Sequence, residues 1–174
     1  MFSEKVPEEL HRRHPFSSSS EPAPTLGEDV VLEVAALDCE MIYTTGGLQL
    51  ARVSLVDGEG KQVFDEFVRM PEGVKVIDYI TRLVFYLSLY FSLSLIFPNR
   101  WSGITPELLQ SAVLDLTGIR QALRSFIGSK TILIGHALDN DLKSLRMVHH
   151  RVVDTSVLFP HKAGAPFRRA LRDL

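Results

Sequence analysis

The stretch Ala35-Ala36-Leu37-Asp38-Cys39-Glu40-Met41 constrains this chain more than any other. It reads as a buried strand that ends in two carboxylates. Successive side chains of a strand alternate faces, so Asp38 and Glu40 point one way and Cys39 the other. Two carboxylates on one face at the end of an apolar strand are costly unless they are paired or hold a cation. Divalent-metal binding is therefore the expectation, and the remaining chain has to supply partners for it. Cys39, on the opposite face, reads as a small core filler rather than a nucleophile.

A chain of 174 residues, 45% hydrophobic and 23% charged, has the length and apolar content for one domain plus a tail. Its net charge of −2 gives no general basic signature. That argues against wrapping a long duplex, not against gripping a strand end. The single cysteine excludes an internal disulfide framework and points to a reducing, intracellular setting. No secretory pattern opens the chain. Residues 1–29, with the run Ser17-Ser18-Ser19-Ser20 followed by Pro22 and Pro24, read as a disordered tail.

Val30 to Leu37 reads as a central strand. Leu48 to Val56 follows, with Ala51, Val53 and Leu55 on one face. Asp57-Gly58-Glu59-Gly60 is a hairpin turn that returns Val63 to Met70. Asp57 and Glu59 repeat the Asp-x-Glu spacing, but in a water-facing turn, and are set aside as a site. Val74 to Arg82 reads as a loop. Leu83 to Phe97 is charge-free, and it falls short of the roughly 17 apolar residues that spanning a bilayer requires. No membrane contact is expected, and residues 83–100 read as an atypical apolar insertion.

Thr105-Pro106-Glu107 starts a helix, with Thr as N-cap and Pro in the first turn. Thr117 to Ile127 is a second helix, ended by Gly128. Thr131 to Ile134 is a short strand that stops at Gly135. Ala137 to Val148 is a helix striped by Leu138, Leu142 and Leu145. At about 100° per residue Asp141 flanks that stripe and leans toward the sheet. Asp139 lies off it and reads as a solvated residue or a cap. Asp141 is thus the better ligand. The strand before it delivers the helix to the carboxyl edge of the sheet, where open α/β folds place sites. His136 has two readings, a site-lining residue and a satisfied structural histidine. Val152 to Leu158, around Asp154, is a short strand or turn, and Pro166 to Leu174 starts a last helix. Strands first, then helices alternating with a strand, make an α/β fold: a mixed sheet flanked by helices.

In this order, Leu37-Asp38-Cys39-Glu40-Met41, Trp101-Ser102-Gly103-Ile104-Thr105, Gly135-His136-Ala137-Leu138-Asp139-Asn140-Asp141-Leu142, Val153-Asp154-Thr155 and Leu158-Phe159-Pro160-His161 form a specific combination. From about Ala36 onward the chain resembles the DEDDh 3′→5′ exonucleases, and within them the eukaryotic RNA exonucleases related to oligoribonuclease and RNase T. The resemblance implies an RNase H-like fold and an exonuclease domain over residues 30–174. It implies two Mg²⁺ or Mn²⁺ ions held by Asp38, Glu40 and Asp141. It implies a single-stranded RNA 3′ end as partner, its terminal nucleotide held near Met41, with release of nucleoside 5′-monophosphates; in its site-lining reading His136 would bind the same substrate. RNA processing in the nucleus is the setting it suggests.

The resemblance also asks for a late His and Asp. His149 and Asp154 have the spacing but follow Asp141 too closely to lie on a separate helix. His149 and His150 are read instead as exposed helix-end residues. The late motif would fall beyond Leu174, so a domain lacking its C-terminal part is expected. A catalytically incompetent relative that binds RNA or a protein is the alternative to an active enzyme. Lys143, Arg146, Arg151, Lys162, Arg168, Arg169 and Arg172 make the last third basic, either as a path for an RNA backbone or as a solvated face.

Overall fold

Strand β2, Val34–Thr44, is the middle strand of the larger sheet. It belongs to a computed structural model that describes residues 15–19, 31–79, 102–164 and 167–174. The apolar run from Leu83 to Phe97, Trp101 and the Pro22–Pro24 region lie outside those residues. Before β2 comes β1, Ser17–Ser18; after it come β3, Gly47–Asp57, β4, Gln62–Phe67, and β5, Val76–Asp78. Helices α1, Pro106–Gln110, and α2, Leu116–Leu123, precede β6, Ile132–Gly135. Helix α3, Leu138–Leu145, leads to β7, Met147–Val148, β8, Val152–Asp154, α4, Thr155–Leu158, and a 3₁₀ turn at Leu171–Asp173.

The hydrogen-bonded order is β4-β3-β2-β6-β8, with β5 also on β2. Pairing of β2 with β6 and of β6 with β8 is parallel, and that of β2 with β5 antiparallel, so the sheet is mixed as expected. The chain divides into two compact units. The first takes in Cys39–Val53 and Glu66–Ile119; the second takes in Phe16–Asp38, Ser54–Asp65 and Arg120–Leu174. Ile42, Ala51, Ile104 and Leu109 form the core of the first, with Phe67, Met70, Val76 and Tyr79 packed on it. In the second, Leu55, Leu123, Ile127, Leu133, Leu138 and Leu145 are fully or almost fully buried.

Local chemistry explains most of these elements. Ala51, Val53 and Leu55 are all buried, the period-2 face the sequence shows. The Asp57 carboxylate accepts the Glu59 and Lys61 amides at 3.0 and 2.9 Å, and Gly60 turns the chain at φ 84°. The Thr105 hydroxyl accepts the Leu108 amide at 3.3 Å and Pro106 opens α1.

Several expectations are corrected. Residues 1–29 do not all lie outside the fold. Ser17 and Ser18 pair in parallel with Met147 and Val148, and the Ser17 and Ser19 amides donate to the Arg146 and Val148 carbonyls at 3.0 Å each. The strand expected to stop at Leu37 runs on to Thr44, so the two carboxylates are mid-strand. Within the presumed loop, Val76 pairs with Thr44 and Asp78 with Tyr43. The helix expected to reach Val148 ends at Leu145, because Arg146 takes left-handed backbone at φ 51°. That geometry is held in place: Arg146 is buried and its guanidinium lies 5.7 Å from the Phe16 ring centroid. Residues 167–174 hold only the 3₁₀ turn, not the helix expected from Pro166.

Candidate functional site

Burial alternates along β2 as strand geometry demands. Leu37 and Cys39 are buried, whereas Asp38 is exposed and Glu40 and Met41 are half-buried. Parallel pairing of β2 with β6 runs through Val34–Ile132, Ala35–Leu133 and Ala36–Ile134. Asp38 therefore stands two residues past the last of these pairs, where β6 leaves the sheet at Gly135. A carboxylate there reaches solvent while its neighbours stay in the core.

The turn out of β6 is built by close approach. A Cβ on Gly135 would stand 3.0 Å from the Leu37 carbonyl oxygen and 2.5 Å from Leu138 Cδ1, so only glycine lets α3 start against β2. Next, Ala137 adopts left-handed backbone at φ 59° and ψ 41° with no side-chain cap of its own. Helix α3 then buries Leu138, Asp141 and Leu145. Asp141 is thus buried along with Leu138 and Leu145 of the apolar stripe, at 6% exposure.

The backbone donors at this helix start are satisfied from β8. Asp154 accepts the Ala137 amide at 2.9 Å and the Leu138 amide at 3.0 Å. The same carboxylate caps α4, accepting the Ser156 amide at 2.8 Å and its hydroxyl at 2.7 Å. Burial pushes the Asp154 carboxyl up, but the bonds from Ser156, Ala137 and Leu138 outweigh it and hold it below the ordinary carboxylate range. Thr155 completes the arrangement. Its hydroxyl donates to the Gly135 carbonyl at 3.1 Å and lies 2.9 Å from His136 Nδ1. Four successive residues, Gly135 to Leu138, are thereby pinned by Asp154 and Thr155. This positioning role of Asp154 and Thr155 is not among the sequence expectations; its one local signal is an Asp directly before Thr-Ser, an N-cap pattern.

The rejected late pair is structural. His149 is buried, against expectation, with Nδ1 2.7 Å from the Ser19 hydroxyl and Nε2 2.8 Å from the Thr131 carbonyl. It is not at a helix end, because α3 has already stopped; His150 is exposed as expected. Asp139 does not cap α3. It is a partly exposed carboxylate paired at 3.1 Å with both Lys143 and Arg168. Burial raises its carboxyl, and Arg168 and Lys143 bring it below the usual range. Those pairs occupy two of the basic residues; Arg146 is buried, and Arg151 donates to the Lys130 carbonyl at 2.8 Å. The basic set is thus not one open face.

Oxygen donors such as Asp38, Glu40 and Asp141 suit Mg²⁺ or Mn²⁺. Among the described residues, however, no group of three or more His, Cys, Asp or Glu side chains is arranged to hold a metal ion. Asp38, Glu40 and Asp141 are all described residues, so the structure does not gather these three side chains into one ligand group. Among them, too, no helix is long and apolar enough to cross a membrane.

The chain matches no protein-family model. It is 40% identical over 149 residues to the putative exonuclease GOR of Homo sapiens, covering 86% of this chain and 19% of that protein. It is 42% identical over 141 residues to the Homo sapiens RNA exonuclease 1 homolog, covering 81% of this chain and 10% of the relative. With RNA exonuclease 1 of Saccharomyces cerevisiae it shares 38% over 142 residues, 81% of this chain and 22% of the other. The chain thus spans less than a quarter of the length of each. Among solved structures, the catalytic unit of Neurospora crassa Pan2, with protease and nuclease domains, superposes at a TM-score of 0.60 with 21% identity. That match covers 88% of this chain and 24% of Pan2's. The Saccharomyces cerevisiae Pan2 module in complex with AAGGA RNA superposes at 0.56 with 17% identity, over 82% of this chain and 24% of the other. At such identities the likeness is one of fold.

Proposed function

Because the chain belongs to the exonuclease family of these relatives, with the RNase H-like fold, we propose that it removes nucleotides stepwise from the 3′ end of single-stranded RNA. Hydrolysis would release nucleoside 5′-monophosphates. The observation that carries this reading is the half-open acidic face of β2, Asp38 and Glu40, alternating with a buried Cys39. On the resemblance, Asp38, Glu40 and Asp141 are the proposed ligands that would hold two divalent cations, although the three do not form one group in this structure. When bound, such ions lower the pKa of an attacking water and steady the leaving oxygen. RNA is preferred over DNA on the names of the relatives, and RNA processing in the nucleus is the setting proposed on the resemblance alone.

The chain's own residues have definite parts in this proposal. Met41 and His136 contact the terminal nucleotide. Asp154, by capping α3, fixes the helix that carries Asp141. Apolar and aromatic contacts with unstacked bases favour a single strand over a duplex end.

A second reading, RNA binding without cleavage, is favoured by one observation. His149 and Asp154, the late pair with the right spacing, are both committed to structural hydrogen bonds and supply neither a base nor a further ligand. Incubating the purified chain with 5′-labelled single-stranded RNA and Mg²⁺ separates the two. The enzyme reading expects a ladder shortening from the 3′ end, abolished by EDTA and slowed about 100-fold or more by Asp38→Asn. A folded chain that binds the RNA and leaves it intact would overturn the enzyme reading in favour of the second.

A further inference from the structure

The Thr155 hydroxyl has one proton and two neighbours. The Gly135 carbonyl, at 3.1 Å, only accepts; His136 Nδ1, at 2.9 Å, accepts or donates according to tautomer. Both contacts are satisfied in one way only. The hydroxyl proton goes to the carbonyl, and the Thr155 oxygen receives an N–H from His136 Nδ1. In the neutral imidazole that leaves the Nε2 lone pair as an acceptor.

We infer that Thr155 fixes the tautomer of His136 and so makes it a reader of a ribose hydroxyl on the terminal nucleotide. The inference rests on the nuclease reading of the site. His136 follows β6 directly, and like Asp38 on the neighbouring strand it lies two residues past the pair Ala36–Ile134. It is half-buried, with Nε2 not engaged by any of the described residues. A phosphodiester offers only acceptors at neutral pH, and an Nε2 lone pair gains nothing from it. Ribose hydroxyls are donors, and the 2′-hydroxyl is the one by which RNA differs from DNA at a given position. The turn is also stiff: Asp154 clamps Ala137 and Leu138, so the imidazole is presented from a fixed backbone. His136 is in this view a substrate contact, and Thr155 a positioning residue acting through it.

The test pairs a tautomer measurement with binding, each on the whole chain. Imidazole ¹⁵N shifts at pH 8 are expected to show His136 protonated on Nδ1. Thr155→Val loses that signature, and Thr155→Ser, which keeps the hydroxyl, retains it. Fluorescence anisotropy in a calcium buffer then compares an all-RNA strand with strands whose last nucleotide is 2′-deoxy or 3′-deoxy. The wild type prefers the strand carrying the hydroxyl that His136 reads by about 3- to 10-fold. Thr155→Val brings that ratio close to one, and Thr155→Ser keeps it. An Nε2–H tautomer in the wild type overturns the inference, as does a preference unchanged in Thr155→Val or lost in both variants. If the wild type binds no RNA strand, the nuclease reading itself fails and the ribose assignment falls with it. RNA binding with an indifferent Thr155→Val overturns this inference alone.

Discussion

A single carboxylate, Asp154, sets two helix starts at once. Replacing it by Ala orphans the Ala137 and Leu138 amides and removes the cap of α4. The expected cost is about 2–4 kcal/mol, read as a lower midpoint in urea unfolding. The pH dependence has a definite sign. A carboxyl whose folded pKa lies below its unfolded value stabilises above the unfolded pKa and loses that contribution as pH falls through the folded one. Acidification below about pH 4 is therefore expected to reduce stability, and to reduce it less in Asp154→Asn. Ala137 offers the opposite change. Its left-handed backbone strains any residue with a Cβ, so Ala137→Gly is expected to raise the unfolding midpoint by the equivalent of about 1 kcal/mol.

At the scale of elements, Gly135 determines whether β6 can hand over to α3. Gly135→Ala sets a methyl 3.0 Å from a backbone oxygen of β2, which has no rotamer to yield. The expected loss is about 1–3 kcal/mol in chemical denaturation. These elements were unequally legible in the sequence. β3, its turn and α1 were readable because their signals are local: alternation in Ala51, Val53 and Leu55, Asp-Gly, and Thr-Pro. The burial of Asp141 followed from helical spacing alone. By contrast, β1 and β5 exist only through partners distant in the chain, Met147–Val148 and Tyr43–Thr44, and nothing in Ser17-Ser18 or Val76–Asp78 announces them. The early end of α3 was hidden because Arg146, not a glycine, takes the left-handed position. The burial of His149 was hidden for a related reason, since its partners Ser19 and Thr131 come from other segments. Replacing His149 by Ala is accordingly expected to speed hydrogen exchange at the Ser19 amide, which bonds to the Val148 carbonyl.

For the whole molecule, β2 is the element on which fold and proposed function coincide. The carboxylates and the family were legible from Asp38-Cys39-Glu40-Met41, but the length of β2 was not. Polar residues at alternate positions look like the end of a buried strand when they are the open face of a longer one. Cys39, the lone cysteine, sits on the inner face of that strand between the two carboxylates, 7% exposed and outside any disulfide. A thiol reagent in water reaches it only when this part of the strand opens. The alkylation rate of Cys39 is thus a clock for the breathing of the acidic segment. A divalent cation held by Asp38 and Glu40 should slow that clock, whether or not any RNA is cut.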